Sequence, residues 1–426
     1  MTFSFVTLGC KVNQYESGAM AERLVSDGFK QCGNGAPDII VINSCTVTAA
    51  SDQKVRQALH KARRENPGAV VVLTGCMTQA FPERAEEWAG ADIILGNTNR
   101  SGLTGHIVRF IETHEKIIEI TPHDSKFEEV SASKSMEKTR AYIKIEDGCD
   151  CLCSYCIIPY ARGGVRSRTI DEIHEEAVRL ADNGFKEIVL VGINLSAYGQ
   201  DTGKSLCDAM EAAASVDGIE RVRLGSLEPD LLDNVMIEQL AKNKKLCPHF
   251  HLSLQSGCDE TLRRMNRRYE SSDYNRITEK LRTAFPDCSL TTDIMVGFAG
   301  ETEEEFQKSL EFVSKTGFSK VHVFKYSPRK GTKAADMDGQ VSSSQKTARG
   351  KLMERVAVDS RQKYYDGAIG REYPVLFERR RADGFYYGYT PQYVPVRVRS
   401  NADLTGKIVY VRLTSHDGNT CDGQIM

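Results

Sequence analysis

Runs of β-branched residues, each followed by a helical pattern, constrain this chain more than any other feature. Near the N-terminus the runs are "FSFVTLGC", "DIIVINSC", "AVVVLTGC" and "ADIILGN", separated by helical segments such as "ESGAMAERLVSDGF" and "SDQKVRQALHKARREN". Parallel strands need helical crossovers, so this alternation predicts an α/β fold with a doubly wound parallel sheet. The polar stretch "TPHDSKFEEVSASKSMEK", residues 121–138, has little apolar periodicity and reads as a linker. A second alternating region follows, with strand candidates "AYIKIEDGC", "EIVLVGIN", "RVRLGSLEP", "FHLSLQSG", "LTTDIMVGF" and "KVHVFKYSP". Six βα units are too few for a closed eight-unit barrel and suit a partial (βα)6 barrel, with chemistry at the carboxyl ends of its strands. Short alternating strands broken by Gly, Pro and Asp then predict a small C-terminal β-barrel. The expected organisation is residues 1–120, linker 121–138, 139–369 and 370–426.

The net charge of −2 gives no global field toward nucleic acid, so any basic surface must be local. No apolar run approaches the ~18 residues of a membrane span. The start "MTFSFVTLGCKVNQ" lacks the pattern of a secretion signal. The expectation is a cytoplasmic protein with no membrane partner. Thirteen cysteines in such a chain point to metal ligation or redox chemistry rather than disulfides. Cys32, Cys207, Cys247, Cys258, Cys288 and Cys421 read as small core hydrophobes. The remaining seven fall in two sets.

Cys10, Cys45 and Cys76 each follow a β run and precede a helical segment. In a parallel sheet all three then fall on one edge, where open α/β sheets place their ligands. Three converging thiols can hold an iron–sulfur cluster and leave one iron without a protein ligand. Zinc competes poorly, because no fourth ligand occupies a comparable place. The second set lies in "GCDCLCSYC", where Cys149, Cys153 and Cys156 have the spacing C-x3-C-x2-C. A three-cysteine loop at the mouth of the barrel can bind three irons of a 4Fe–4S cluster. Paired C-x2-C motifs, more usual for zinc, are not present here. Cys151 fits no part of the spacing and is expected to point away.

The loop resembles that of the radical S-adenosylmethionine (SAM) superfamily. Together with "TLGCKVNQYES", "INSCTVT", "LTGCMTQ", "GCDCLCSYCIIPYARGGVRSR", "HLSLQSG" and "DIMVGFAGETEEEF", the chain resembles the radical SAM methylthiotransferases over nearly its whole length. Cys151 departs from that family, whose loop commonly reads "GCDNFC" or "GCNNFC". The resemblance implies two 4Fe–4S clusters: an auxiliary one on Cys10, Cys45 and Cys76, and a SAM-cleaving one on Cys149, Cys153 and Cys156. It implies two SAM per turnover, an electron donor of flavodoxin or ferredoxin type, and no catalytic side chain assigned beyond the cluster ligands. "GCKVNQYES" is similar to the subfamily that converts N6-threonylcarbamoyladenosine at position 37 of tRNA to its 2-methylthio derivative. The alternatives are isopentenyladenosine-37, a ribosomal-protein aspartate, or a non-catalytic iron–sulfur RNA-binding protein.

SAM must also be held by its adenine, ribose and carboxylate. The barrel strand ends offer Gly192, Asn194, Ser226, Glu228, Gln255 and Asp293, and Tyr155 lies between two cluster cysteines. The competing role for each is to satisfy a turn or cap a helix. "ARGGVRSR" supplies Arg162, Arg166 and Arg168 as contacts to phosphate or to the substrate carboxylate. The C-terminal barrel resembles a TRAM domain, an RNA-binding module. Between residues 371 and 412 it has eight Lys or Arg against four acids, a local excess of +4. Arg379, Arg380, Arg381, Arg397 and Arg399 are therefore expected to face the phosphates of a tRNA anticodon stem-loop. "FYYGY" is available to stack on bases or to fill the barrel core.

Overall fold

In the computed structural model, residues 1–33, 35–123, 126–128 and 139–426 are described. The N-terminal part is a parallel sheet of six strands, in the spatial order Lys30–Gln31, Thr2–Thr7, Ile39–Ser44, Val70–Gly75, Ile93–Leu95 and Ile117–Glu119. Its two central strands, Ile39–Ser44 and Val70–Gly75, are buried at every position. A parallel sheet covered on both faces requires this, and it explains their continuous β-branched runs. Alternation then divides the side chains. Ile40, Ile42, Val71, Leu73 and Ile94 pack under one helical layer, with Ile39, Val41, Val72 and Ile93 under the other.

The central region has the six expected strands, all parallel and spatially sequential. Arg140–Lys144, Glu187–Val191 and Arg221–Leu224 form one sheet, and Ser226–Leu227, His249–Leu252, Ser289–Val296 and Lys320–Lys325 the next. The third strand is split at Gly225: Arg221–Leu224 pairs backward with Glu187–Val191, while Ser226–Leu227 pairs forward with His249–Leu252. The break bends the sheet into an open, partial barrel. Its outer helices start on strong signals. Thr169 with Glu172, Ser205 with Asp208, and Thr302 with Glu305 form capping boxes.

The Ser343–Asp366 helix leads to a closed barrel of five strands, Glu372–Arg380, Tyr386–Tyr389, Pro395–Val398, Cys421–Ile425 and Ile408–His416. Val375, Phe377, Val396, Val398, Val411 and Leu413 fill it. No helix among the described residues is long and apolar enough to cross a membrane. Much of the expected linker (residues 124, 125 and 129–138) lies outside the described residues. Where it is described, it is tied down. Thr121 N donates to Asn99 Oδ1 at 3.1 Å, and Glu128 pairs with the buried Arg100.

Candidate active site

Cys10, Cys45 and Cys76 follow three adjacent parallel strands at the same sheet edge, as the alternation predicts. Two glycines make the approach possible. Gly9 and Gly75 have φ of +113° and +107°, in the region that favours glycine. A Cβ on Gly75 would stand 2.5 Å from Ser44 N, and one on Gly9 would stand 2.9 Å from Cys45 Cβ. Asn13 laces the edge together, donating to Leu8 O and Ser44 O, both at 2.9 Å. Burial pushes the Cys76 thiol up to about 11, against the pull of the Arg162 guanidinium, and the sulfurs of Cys45 and Cys10 push the same way.

The second set follows the same logic. Gly148, at φ +91°, precedes Cys149, and a Cβ there would lie 1.8 Å from Gly164 O. Cys149 N donates to Gly163 O at 3.0 Å, and Cys156 N to Cys153 O at 3.0 Å, which closes the loop. Cys156 is pushed to about 12 by burial and by Cys153 and Cys149, so the three sulfurs share one neighbourhood.

Cys151 does not point away. It is buried, and its Sγ takes a hydrogen bond from Asn194 Nδ2 at 3.4 Å, an amide that is also 3.7 Å from Cys149 Sγ. Leu152, at φ +49°, reverses the chain and is the residue turned to solvent. A hydrogen bond from the Cys151 thiol holds Cys149 down at about 7.

The arginines of "ARGGVRSR" also require correction. They face inward and pair with protein carboxylates rather than turning to solvent. Arg162 is fully buried, pairs with Glu16 and Asp147, and donates from Nε to Cys76 Sγ at 3.3 Å. Arg166 donates to Arg162 O and Gly164 O, both at 2.9 Å. Arg168 pairs with Glu176, which also accepts from Tyr15 at 3.0 Å. Their acidic partners, Glu16, Asp147 and Glu176, all lie outside the motif, so the motif alone hides them. In the C-terminal barrel, Arg379, Arg380, Arg381 and Arg399 are exposed. Arg397 is instead tied to Asp422 at 2.6 Å and Asp417 at 3.0 Å. Arg381 lies 3.9 Å over the Tyr387 ring and Arg399 4.7 Å over Phe385, while Tyr386 is buried in the core.

Of the residues expected to hold SAM, Asn194, Glu228 and Tyr155 are gathered near the second thiol set. Asn194 N donates to the buried Glu146 at 2.8 Å. Gly192 admits that carboxylate, since a Cβ would stand 2.5 Å from Glu146 Oε2. Glu228 pairs with Arg267, whose Nη1 also donates to Cys153 Sγ at 3.2 Å. Burial raises the Glu228 carboxyl, and Arg267 opposes this. Tyr155 meets Phe298 edge-on, with ring centroids 6.3 Å apart. Gln255, at φ +67°, bridges to the next strand through its backbone, donating to Asp293 O and accepting from Met295 N, each at 2.8 Å. Ser226 is exposed on its short strand, and Asp293 faces His251. Arg267, Glu146, Asn13 and Glu16 escaped the sequence reading. No spacing in their segments marks them.

The donor set fits 4Fe–4S clusters. Each trio is thiol-only, and each receives N–H donors to sulfur, from Arg162 at one and from Asn194 and Arg267 at the other. One zinc ion with bonds of about 2.3 Å would hold its sulfurs about 3.8 Å apart. Among the described residues, only His251, Asp293 and His322 bring three donors within 4.8 Å of one another. Neither thiol trio brings its three sulfurs within that distance, so both are wider than a single zinc ion requires. The two sets also meet: the Cys76–Ala80 helix packs on the Ile158–Arg162 helix, just beyond Cys156.

The sequence matches a model of the radical SAM superfamily over residues 143–313, and one described as uncharacterized protein family UPF0004 over residues 2–96. It is 40% identical to the threonylcarbamoyladenosine tRNA methylthiotransferase MtaB of Thermotoga maritima, over 98% of this chain and 96% of that protein. It is 36% identical to the MtaB of Bacillus subtilis, over 97% and 93%. Identity to the tRNA-2-methylthio-N(6)-dimethylallyladenosine synthase of Pelotomaculum thermopropionicum is 35%, over 97% and 95%. Among solved structures, the radical SAM methyltransferase TsrM of Kitasatospora setae has a similar fold, with TM-score 0.58 at 14% identity, covering 78% of this chain and 76% of that one.

Proposed function

Because the chain belongs to the radical SAM methylthiotransferase family, we propose that it converts N6-threonylcarbamoyladenosine at position 37 of tRNA to its 2-methylthio derivative. The observation that carries this reading is the pair of thiol trios, one at the strand ends of each α/β sheet, meeting through two packed helices. Cys10, Cys45 and Cys76 are the residues to hold one 4Fe–4S cluster, and Cys149, Cys153 and Cys156 the other. When bound, these clusters with SAM supply one-electron reductive cleavage of SAM and transfer of a methylthio group to carbon 2 of the adenine.

The chain's own residues set the conditions for that chemistry. Gly9, Gly75 and Gly148 let the thiol-bearing turns close. Arg162, sealed from water, gives the first trio a fixed positive charge and an N–H donor at sulfur. Arg267 does the same for Cys153 and is itself positioned by Glu228. Asn194 and Tyr155 are the nearest expected side chains for orienting SAM; Gly192, Ser226, Gln255 and Asp293 line the strand ends around them. The exposed Arg379, Arg380, Arg381 and Arg399 offer a phosphate-binding face for the anticodon stem-loop. We assign the functional units to residues 1–120, 139–369 and 370–426. An electron donor of flavodoxin or ferredoxin type, and a cytoplasmic location alongside tRNA, belong to the same reading.

The test is turnover by the anaerobically reconstituted chain with SAM, dithionite and tRNA carrying threonylcarbamoyladenosine, read by nucleoside mass spectrometry. The methylthio product and 5′-deoxyadenosine are expected together. Product only from tRNA carrying isopentenyladenosine would reassign the substrate, and no 5′-deoxyadenosine from any tRNA would remove the enzymatic reading. Cys10→Ala and Cys149→Ala should each lower iron by about one cluster's worth.

A further inference from the structure

The thiol chemistry leaves one group of ligand-type side chains unused. His251, Asp293 and His322 sit on neighbouring strands, His249–Leu252, Ser289–Val296 and Lys320–Lys325. The register sets His251 opposite Thr291 and Asp293 opposite His322. Thr291 and Asp293 are two residues apart and share a face, so all four side chains stand on the same side of the sheet. His251 Nε2 is 3.3 Å from Asp293 Oδ2, and the two imidazole centroids are 5.9 Å apart. One donor atom from each of the three lies within 4.8 Å of the others.

His251 Nδ1 lies 2.9 Å from Thr291 Oγ1. In the tautomer that donates Nδ1–H to the hydroxyl, the Nε2 lone pair faces the Asp293 carboxylate; in the other, Nε2–H donates to it. The hydroxyl in turn is 3.5 Å from His249 Nε2, to which it can donate. In the first arrangement a cation between the lone pair and the carboxylate oxygen relieves their repulsion. Metal–ligand bonds of about 2.0–2.1 Å, meeting near the tetrahedral angle, give an N···O edge of about 3.3–3.4 Å.

We infer that His251, Asp293 and His322 bind a divalent first-row cation of the zinc class, with an open coordination position toward the interior of the partial barrel. Two imidazoles and one carboxylate are a set that zinc and its neighbours accept. The side chains are reachable, His251 being 14% and Asp293 29% exposed. The charges of Lys320 and Lys11 reach His322. They oppose a metal ion on charge alone, so the site depends on its donor geometry, and they make an anionic oxygen the favoured further ligand. This site uses none of the cluster thiols and stands apart from the choice of RNA substrate, and it assigns Asp293 to the metal instead of to SAM.

The experiment is a metal count on the full chain carrying both clusters, which keeps the six cluster thiols occupied. Reconstituted protein is dialysed anaerobically against micromolar zinc chloride, beside His322→Gln and Asp293→Asn, and iron and zinc are measured per chain. The wild-type chain is expected to hold about one zinc more than either variant, at equal iron. Equal zinc in all three at equal iron overturns the proposal. Should a variant lose iron and so signal misfolding, zinc-edge X-ray absorption of the wild-type chain decides. Imidazole scattering around zinc supports the site, and a purely sulfur shell overturns it.

Discussion

Arg162 shows how much a single residue can carry in this molecule. Its guanidinium is fully buried, receives its counter-charge from Glu16 and Asp147, reaches Asn13 Oδ1 at 3.0 Å, and ends on Cys76 Sγ. Removing one partner from a buried ion network costs about 3–5 kcal/mol, because the others stay buried without it. Arg162→Met should therefore lower unfolding free energy by that order in denaturant titration, and a change under about 1 kcal/mol would contradict the pairing. The sequence shows Arg162 as one of three clustered arginines, which suggests contacts to phosphate or to the substrate carboxylate. It does not show that Glu16, on the first helix, comes to meet it. Cys151 fails for a related reason. Its spacing excludes it from the ligand trio, but only the left-handed turn at Leu152 reveals that its sulfur is folded back onto Cys149. Its role can be separated from theirs. Cys151→Ala is expected to leave iron per chain unchanged after anaerobic reconstitution.

At the scale of elements, the strand-to-turn junctions were the most legible part of the chain. A β-branched run ending in Gly-Cys says where the strand stops, and twice in the first sheet that glycine holds a positive φ. The thiol therefore sits at a junction that tolerates no side chain one residue earlier. Gly75→Ala would press a Cβ to 2.5 Å from Ser44 backbone, and Gly148→Ala would press one to 1.8 Å from Gly164 O. Each change should empty one site and spare the other. Iron should fall by roughly half in either variant, with the loss following Cys76 in the first and Cys149 in the second. Pairing each glycine variant with Cys10→Ala makes this checkable. Gly148→Ala with Cys10→Ala should lose nearly all iron, and Gly75→Ala with Cys10→Ala no more than Cys10→Ala alone. The split of the third barrel strand at Gly225 was not legible. A single glycine between two short runs reads as one strand until its two halves are seen pairing in parallel with different neighbours.

Across the whole molecule, the C-terminal barrel closes the end of the central sheet opposite the thiol loops, and a buried ion cluster fastens it there. Arg223 Nε donates to Glu187 at 2.8 Å and its Nη1 to Pro391 O at 2.8 Å, and Arg221 donates to Tyr389 O and Pro374 O. Arg140 lies 4.5 Å over the Tyr389 ring. Glu187 is the anion among these three arginines. Burial pushes its carboxyl up, but Arg223, Arg140 and Arg221 outweigh this and hold it below the usual glutamate range. A carboxyl with a depressed folded pKa stabilises the fold above its unfolded pKa and loses that contribution as pH falls through the folded value. Glu187→Gln removes the charge at every pH and strands the guanidiniums, at a cost of about 3–5 kcal/mol. The stability gap between wild type and Glu187→Gln should therefore be full at neutral pH and shrink as pH falls from about 4.3, the ordinary glutamate pKa, through the lower folded value, below which both chains are neutral at that position. Taking the difference cancels the acid sensitivity that the two chains share. Hydrogen exchange locates the effect. The Glu372–Arg380 and Tyr386–Tyr389 strands, which contact the clasp, should lose protection in the variant before the Val70–Gly75 strand does. Uniform loss across both would mean that Glu187 supports the central sheet alone and that the C-terminal barrel is fastened elsewhere.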